Sequence, residues 1–254
     1  MKIATWNVNS IKARRKHVQR WLAAHSPDIL MMQELKGLEF PADAFEGYHT
    51  QAVTQKTYNG VAILSREPVQ VVLEKLPGDE TDEQARYLEV EAGGDHPLRL
   101  INIYAPNGNP VGSEKYPYKL SWLDRLYARL KDLREQEISF IIGGDFNIIP
   151  QDEDCYDPAL WIQDALFKIE SRSRFRALLN LGLTDAFRVF NSDAKQYTFW
   201  DYQAGAWPKN NGIRIDHFLT SPPITDRLKS CFIDTAPRGE EKASDHTPVI
   251  VELR

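Results

Sequence analysis

Residues 61–104 read VAILSREPVQVVLEKLPGDETDEQARYLEVEAGGDHPLRLINIY, and the class of fold follows from their pattern. Three short apolar runs predict β-strands, at residues 61–64, 87–91 and 98–104. No amphipathic helical pattern separates these runs, although a uniform alternation of strands and helices would require one. The segment therefore predicts mixed β-sheets rather than an all-parallel array.

Strands and helices alternate on both sides of this segment. Further strands are predicted at residues 2–6, 29–32, 140–142, 213–219, 230–234 and 249–253. Helices are predicted at residues 14–24, 118–135 and 174–181, where apolar residues recur on one face. Two sheets packed face to face with helices outside accommodate this number of strands. We expect residues 1–254 to form a single α/β domain.

The overall charge limits the kind of partner. The 254 residues carry a formal net charge of −5, which argues against a surface that is basic throughout. A nucleic-acid partner would therefore need a local basic patch, although runs of this kind are more often solvated helix faces. The candidate residues are Lys12, Arg14, Arg15, Lys16, Arg172, Arg174 and Arg176.

Neither cysteine content nor hydropathy indicates a disulfide scaffold or a membrane protein. Cys155 and Cys231 are too few for a disulfide framework and do not have the spacing of metal ligands. Residues 1–20 are charged and lack the apolar stretch of a signal peptide. No run approaches the roughly 18 apolar residues that span a bilayer. We expect a soluble cytoplasmic protein, monomeric and without an obligatory protein partner.

Polar residues lie at or within several predicted strands, where an apolar interior would not tolerate them without a partner. Buried carboxylates are costly unless they are paired or bound to a cation, and α/β enzymes place reactive groups on loops at strand ends. We expect these residues to meet at one edge of the fold. They are Asn7 and Asn9 after the first strand, Glu34 after the second, Asp145 and Asn147 after the strand at 140–142, Asp216 inside the strand at 213–219, and Asp245 and His246 before the last strand.

Four of these residues are carboxylates, namely Glu34, Asp145, Asp216 and Asp245. Oxygen ligands suit a hard cation such as Mg²⁺ or Mn²⁺, and the lack of paired histidines or cysteines disfavours zinc. A hard cation among carboxylates is the usual device for neutralising a phosphate ester during displacement. The set therefore favours a phosphate-ester hydrolase, although Glu34 taken alone is more typical of a solvated strand end.

Asp216 and His246 predict acid–base chemistry at the same edge. Asp216 interrupts an apolar run and so needs a buried partner. His246 is a candidate base or phosphate contact, with Asp216 available to orient its imidazole, although a lone histidine is more often structural. Asp145 and Asn147 are two residues apart, so they should point to the same side of an extended segment.

Two further segments suggest a substrate-binding side. Tyr104 and Asn107 lie in a polar turn, where a phenol and an amide could hydrogen-bond phosphate oxygens, although such a turn needs no function to exist. Phe199 and Trp200 begin an aromatic group that we interpret as exposed, together with Tyr202 and Trp207. Such rings can stack on bases or line a sugar pocket, and core packing is an equally good explanation.

Seven short motifs, in this order and spacing, resemble the bacterial exodeoxyribonuclease III and abasic-site endonuclease family of the endonuclease/exonuclease/phosphatase superfamily. Each motif alone is weak, but the set spans the chain. Leu35 and Thr247 depart from it, since threonine and alanine are common there, and residues 161–174 are variable in the family. The motifs are TWNVN (5–9), QELK (33–36), NGVA (59–62), YAPN (104–107), GDFN (144–147), NGIRID (211–216) and SDH (244–246).

The resemblance implies a four-layer α/β sandwich like that of deoxyribonuclease I, with the site at one edge between the two sheets. It also implies a role for each matching residue. Metal ligands or their neighbours are Asn7, Glu34 and Asp245. Asp145 and Asn147 are also placed in the metal set: Asp145 activates water or holds a second ion, and Asn147 orients the water. Contacts to the scissile phosphate are Tyr104 and His246, the latter held by Asp216. The pocket for a baseless sugar includes Phe199 and Ile213.

The implied activity is Mg²⁺-dependent hydrolysis of DNA phosphodiesters in base excision repair, with Mn²⁺ as a possible substitute. The substrates would be duplex DNA with abasic sites, cut on the 5′ side, or with 3′ termini, in each case leaving a 3′-hydroxyl. Asn107, Phe199, Trp200 and Ile213 are the residues expected to contact DNA. The balance between the two activities, the number of ions and the choice of Asp145 or His246 as base stay open.

Three alternatives compete with this hypothesis. A phosphodiesterase for lipid or inositol phosphates would keep the fold and change the substrate. A catalytically silent nucleic-acid-binding protein would have no physical need for the complete set of Glu34, Asp145, Asn147, Asp216 and His246. A purely structural domain would leave the polar interruptions at the strand ends unexplained.

Overall fold

Two six-stranded β-sheets form the centre of the molecule. The structure, a computed structural model, describes residues 1–94 and 97–254. The first sheet contains β1 (Lys2–Asn7), β2 (Ile29–Gln33), β3 (His49–Val53), β4 (Val61–Ser65), β11 (Leu228–Ile233) and β12 (Val249–Leu253). The second contains β5 (Val69–Leu73), β6 (Tyr87–Ala92), β7 (Leu98–Tyr104), β8 (Phe140–Asp145), β9 (Thr184–Asp185) and β10 (Asp216–Thr220).

Each sheet is mixed, as the strand pattern predicted. The strand orders are β11-β12-β1-β2-β4-β3 and β5-β6-β7-β8-β10-β9. The only parallel pairs among the described strands are β1 with β2 and β7 with β8, and all other neighbours are antiparallel. Parallel neighbours need a crossover, which is helical in both sheets.

The three longest helices cover the outer faces of the two sheets. The crossover helices are α1 (Ile11–His25) between β1 and β2, and α2 (Lys115–Glu135) between β7 and β8. The remaining helices are α3 (Pro158–Trp161), α4 (Ile169–Asn180), α5 (Ala186–Phe190) and α6 (Pro222–Thr225). Within residues 1–94 and 97–254, no helix combines the length and apolar character needed to cross a bilayer.

Among the described residues, the three largest hydrophobic clusters lie between the sheets and on their two outer faces, because the central strands are buried on both faces. Ile3 and Met31 of the first sheet share the inner cluster with Leu100 and Ile141 of the second. Helix α1 packs its buried residues against the outer face of the first sheet. Leucines of α2 and Phe175 of α4 cover the outer face of the second. The predicted four-layer α/β sandwich is therefore confirmed.

The main errors of the sequence analysis fall on weakly patterned segments. Strands β3 and β5 were not predicted; both are sheet-edge strands of mostly half-exposed residues, so their apolar pattern is weak. The strand predicted at 213–219 begins only at Asp216, which opens β10 rather than lying inside a strand. Ile213 instead forms isolated bridges to Cys155 and Phe199.

Helix starts were also predicted too late. Helix α1 begins at Ile11, where the Ser10 hydroxyl accepts a hydrogen bond from the backbone N–H of Ala13 at 3.4 Å. Helix α2 begins at Lys115, so Pro117 lies in its first turn. A proline is tolerated there because the N–H that it lacks would have no helical partner. Helix α4 runs from Ile169, upstream of the predicted 174–181.

Candidate active site

The two parallel strand pairs direct their carboxyl ends to the same edge of the sandwich. Strands β1 and β2 end at Asn7 and Gln33, which lie opposite each other, and Glu34 follows directly. Strands β7 and β8 end at the paired residues Tyr104 and Asp145. Two crossovers, one in each sheet, therefore bring Glu34 and Asp145 to the same edge.

Three ionisable side chains converge at this edge. One oxygen of Glu34, one oxygen of Asp145 and one ring nitrogen of His246 all lie within 4.8 Å of one another. Asp145 and His246 are buried, and Glu34 is half-buried. Such a cluster in the interior requires either protons or a cation to offset its charge.

Asn7 joins the two carboxylates. Its Nδ2 donates to Glu34 Oε1 at 3.1 Å and to Asp145 Oδ2 at 3.0 Å. Its Oδ1 accepts from the backbone N–H of Asn9 at 3.0 Å, and this contact fixes the orientation of the amide. The structure thus places Asn7 as a donor to the predicted metal ligands, with its oxygen turned away from them.

Glu34 is held in its ionised form by two donors. The Lys36 ammonium lies 2.8 Å from Oε2, and the Tyr104 phenol donates to Oε1 at 2.7 Å. Burial opposes ionisation, but Lys36, His246 and the Tyr104 hydrogen bond together outweigh it and lower the pKa of Glu34. Burial and the nearby charges of Glu34 and Asp145 raise the pKa of Tyr104 well above its usual value, so the phenol remains a hydrogen-bond donor at neutral pH.

His246 lies between two aspartates. Its Nδ1 is 2.8 Å from Asp216 Oδ2, as predicted from the sequence, and its Nε2 is 3.7 Å from Asp145 Oδ2. Burial would lower the pKa of His246, but the negative charges of Asp216 and Asp145 raise it. Burial, together with the charges of Asp216 and Glu34, raises the pKa of Asp145 despite the opposing His246. A raised carboxyl pKa suits a general base at neutral pH.

Asn147 reaches the site through a turn. The segment after Asp145 is not extended as predicted, because Asn147 has φ of 49° and its N–H donates to Asp145 Oδ1 at 2.8 Å. Asn147 Nδ2 donates to the carbonyl of Ala105 at 2.9 Å, which leaves Oδ1 to accept from Asn107 Nδ2 at 3.2 Å. Asp145, Asn147 and Asn107 therefore line one pocket.

Asp245 also lines this pocket. Its Oδ1 accepts from Asn9 Nδ2 at 3.0 Å, and Asn9 Oδ1 accepts from Lys36. Arg14 donates to the Asn9 carbonyl at 2.6 Å and to the Ala243 carbonyl at 3.1 Å. The segments before α1 and before β12 are thus tied together, which keeps Asp245 beside the other carboxylates.

The predicted DNA-contacting residues differ in their positions. Phe199 and Ile213 line the pocket, which has a volume of about 310 Å³. Trp200 is only 2% exposed, packs against Tyr197 and Trp207, and donates through Nε1 to Asn210 Oδ1 at 3.0 Å. The predicted exposure of Trp200 is therefore wrong, and this residue has no surface through which to contact DNA.

Several residues of the site were missed by the sequence analysis. Lys36 lies within the QELK motif, so its motif alone could have indicated it. Asp164 lines the pocket and accepts from Asn109 Nδ2 at 3.0 and 3.1 Å, and Trp161 lines the same wall. The family resemblance placed residues 161–174 near the pocket but did not single out Asp164. The packing of the segment after α3 against the Asn109 turn places its carboxylate there.

The donor set fits a hard divalent cation. Glu34 and Asp145 present carboxylate oxygens within the 4.8 Å cluster, and Asp245 adds a third carboxylate to the same pocket. Asp216 Oδ1 is buried without a hydrogen-bond partner among the described residues. This excess of buried negative charge is the environment in which a divalent ion is stabilised.

Comparison with known proteins agrees with this geometry. A sequence profile of the Endonuclease/Exonuclease/phosphatase family matches residues 4–246. The exodeoxyribonuclease III of Haemophilus influenzae is 32% identical, with the alignment covering 100% of both chains. Two solved structures superpose closely, and each alignment covers 100% of this chain and 99% of the other. One is a 3′ phosphatase from Neisseria bound to a product DNA hairpin, with a TM-score of 0.96 and 41% identity. The other is an AP endonuclease from Archaeoglobus fulgidus, with a TM-score of 0.93 and 37% identity. The chain therefore belongs to the Endonuclease/Exonuclease/phosphatase family, as its motifs predicted.

Proposed function

We propose that this protein is a DNA repair nuclease dependent on a divalent metal ion, Mg²⁺ with Mn²⁺ as a substitute. It hydrolyses phosphodiesters on the 5′ side of abasic sites and at 3′ termini of duplex DNA, and it leaves a 3′-hydroxyl. The observation that carries this proposal is the meeting of Glu34, Asp145 and His246 within 4.8 Å. Relatives named as an exodeoxyribonuclease III, a 3′ phosphatase and an AP endonuclease support the substrate class.

Each polar group of the site has a distinct role in this reaction. Glu34 and Asp245, with Asp145 beside them, would hold the ion. The ion would supply charge neutralisation at the phosphate and at the oxygen that leaves when the P–O bond breaks. Asp145 accepts a proton from the attacking water, because its carboxylate lines the same pocket as Asn147. Asn147 Oδ1 accepts a hydrogen bond from that water and so orients it.

Two donors face the negative charge that develops on the phosphate. His246 is kept cationic by Asp216, and Tyr104 is kept as a neutral phenol by burial. Preorganised donors of this kind act most strongly in a site from which water is excluded. His246 thus stabilises the phosphate oxygens, and Asp216 fixes its ring through Nδ1. Tyr104 would join it by turning its single O–H from Glu34 Oε1 to a phosphate oxygen.

The DNA backbone is bound by a basic face of helix α1. A groove of about 600 Å³ is lined by Lys12, Arg15, Lys16 and Arg20, with Lys242 on the facing loop. The same face continues toward the site, because Lys36 lies beside Lys12 and Arg15 in a second groove of about 830 Å³. Phosphate contacts of this type fix the position of a duplex without reading its sequence.

The pocket beside the catalytic groups accepts a sugar without its base. Its apolar wall includes Phe199, Ile213 and Leu166. An abasic nucleotide has no base to unstack, so its extrusion into such a pocket is inexpensive. A 3′-terminal nucleotide reaches the same groups from the end of a duplex.

The test uses three labelled duplexes, each with Mg²⁺ and with a chelator. One contains a single abasic analogue, one is blunt and intact, and one ends in a 3′-phosphate. We expect metal-dependent incision of the first duplex and removal of 3′ groups from the others. No reaction with any duplex, combined with hydrolysis of an inositol or lipid phosphate, would contradict the choice of DNA as substrate.

The variant Asp145→Asn tests the assignment of the base. It removes the proton acceptor, and proton transfer of this kind typically contributes ~10²–10⁴ in rate, so kcat should fall by at least about 100-fold. Asp193→Asn is the matched control, since Asp193 is exposed and lies outside the pocket. Turnover of Asp145→Asn close to wild type would show that another group is the base. Binding of DNA without hydrolysis by the unmodified protein would instead indicate a silent binder.

The protein is further proposed to act as a single domain, as a monomer and in the cytoplasm.

A further inference from the structure

Lys119 of helix α2 is a lysine with no solvent exposure. Lysine is almost never fully buried unless it is paired. The Lys119 ammonium donates to two backbone carbonyls, that of Asn107 at 3.0 Å and that of Asn147. Burial lowers the pKa of Lys119 to about 7, and the charges of Asp145 and Asp164 oppose this shift.

The two carbonyls belong to the two loops that carry pocket amides. Asn107 follows β7, and Asn147 follows the parallel strand β8. Their side chains are hydrogen-bonded to each other at 3.2 Å, and Asn147 also donates to the carbonyl of Ala105. Lys119 therefore closes a cycle of hydrogen bonds that joins helix α2 to both loops.

The loop backbone leaves space for this lysine. Gly108 has φ of 89°, and a Cβ at that position would lie 2.7 Å from Lys119 Cδ. Such a contact is too close for two carbon atoms, so any larger residue would displace the lysine stem or the loop. The glycine of the Asn107–Gly108 turn thus makes room for the buried side chain.

Burial of Lys119 is difficult to explain by stability alone. A methionine would fill a similar volume without the cost of desolvating an ammonium group. It would, however, leave the carbonyls of Asn107 and Asn147 without the donor that joins their loops. Asn147 is also held in a left-handed conformation, which costs free energy for a residue with a Cβ. A buried donor that bonds its carbonyl stabilises that conformation.

We propose that Lys119 is a positioning residue that holds the Asn107 and Asn147 loops together and so fixes the Asn147 amide against the reacting water. This inference rests on the proposed nuclease function, because it assigns Asn147 its role there. Lys119 itself does not line the pocket. Its effect on the reaction is therefore transmitted through Asn147.

The test is a double-mutant cycle between Lys119→Met and Asn147→Ala. Loss of a positioning contact behind a catalytic group typically costs about 10–100-fold in activity, so Lys119→Met should lower kcat by about that factor with little change in KM. In the Asn147→Ala background the same substitution should cost almost nothing further. Additive losses in the double variant, or a wild-type kcat for Lys119→Met, would overturn the proposal.

Two further variants separate positioning from general damage. Lys131→Met removes an exposed lysine from the same helix, paired with Glu135 at 3.5 Å, and should leave kcat unchanged. Lys119→Arg keeps hydrogen-bond donors at the site and should retain more activity than Lys119→Met. If Lys119→Arg is as inactive as Lys119→Met while both melt like wild type, donation by this side chain is not what matters.

A readout without substrate distinguishes this inference from the proposed function. The backbone N–H of Asn147 donates to Asp145 Oδ1, so its rate of hydrogen exchange reports the order of the loop directly. We expect faster exchange in Lys119→Met than in wild type, whether or not DNA is the substrate. Unchanged exchange at Asn147 would overturn the positioning role even if the nuclease activity is demonstrated.

Discussion

At the scale of single residues, the site contains buried carboxylates whose negative charge neighbouring cations and hydrogen-bond donors offset incompletely. Asp145 and Asp216 are both buried and both face His246. Lys36 offsets the charge of Glu34 at 2.8 Å, but Asp216 Oδ1 has no partner among the described residues. Buried carboxylates without complete pairing are unfavourable for stability, and they are expected where residues serve a reaction rather than stability.

Asp216→Asn tests the pairing with His246. The negative charge of Asp216 raises the pKa of His246, so its removal should shift the imidazole titration to lower pH. Because the proposed active form is the cation, the alkaline limb of the kcat profile should also move to lower pH, and kcat should fall about 10–100-fold. The imidazole titration is measured by NMR in metal-free protein, with the exposed Asp226→Asn as control. An unshifted His246 titration would contradict the assignment.

At the scale of elements, the position of Asp145 depends on two glycines in strand β8. A Cβ on Gly143 would lie 2.3 Å from Phe218 Cε1 in the neighbouring strand β10. A Cβ on Gly144, which has φ of 144°, would lie 2.0 Å from the carbonyl oxygen of Ile103 in β7. Strand β8 can therefore fit between its neighbours only without side chains at these positions.

Gly144→Ala should destabilise the protein. The added methyl group collides with backbone, which cannot move aside like a flexible side chain, and overpacking of this kind costs about 1–3 kcal/mol or more. Gly112→Ala is the control, since nothing lies within 4 Å of a Cβ there, and we expect a change within about 0.5 kcal/mol. Urea denaturation followed by circular dichroism measures both. Equal midpoints for the two variants would show that β8 tolerates the methyl group.

At the scale of the whole molecule, buried ion clusters stabilise the sandwich away from the active site. Glu89 of β6 is fully buried and accepts from Arg129 Nη2 at 2.7 Å and from Arg99. Asp154 is fully buried beside Arg214 Nε at 2.7 Å. Burial opposes ionisation of both carboxyls, but the arginines outweigh it and hold the pKa of Glu89 and of Asp154 below the usual values.

The free energy of unfolding should therefore decrease in acid. A carboxyl group whose pKa is lower in the folded than in the unfolded state stabilises the fold. This contribution is complete above the unfolded-state pKa, about 4 for these groups, and is lost as pH falls through the folded-state pKa. Glu89→Gln should be less stable at neutral pH, by about 3 kcal/mol, and should show a weaker acid dependence. Urea titrations from neutral pH to pH ~3 measure this, with the exposed Glu135→Gln as control. A parallel acid dependence in wild type and Glu89→Gln would contradict this role.

The sequence predicted the strongly patterned elements well and the edge elements poorly. Strands β7 and β12 have the predicted bounds because most of their residues are buried and apolar. Strand β3 was missed because an edge strand with half-exposed residues has little apolar periodicity. Trp200 was misplaced for the opposite reason: turn residues surround it, but its indole is buried by the fold.

By itself, the sequence determined the α/β class, the four layers, the family and the polar residues that gather at one edge, because buried strands and strand-end carboxylates leave local patterns. Only the tertiary structure decided how those residues are oriented. The amide nitrogen of Asn7 faces Glu34 and Asp145, and Lys119 reaches under the Asn107 and Asn147 loops. These contacts join residues far apart in the chain, and their geometry depends on how two sheets and a crossover helix pack, which no local pattern encodes.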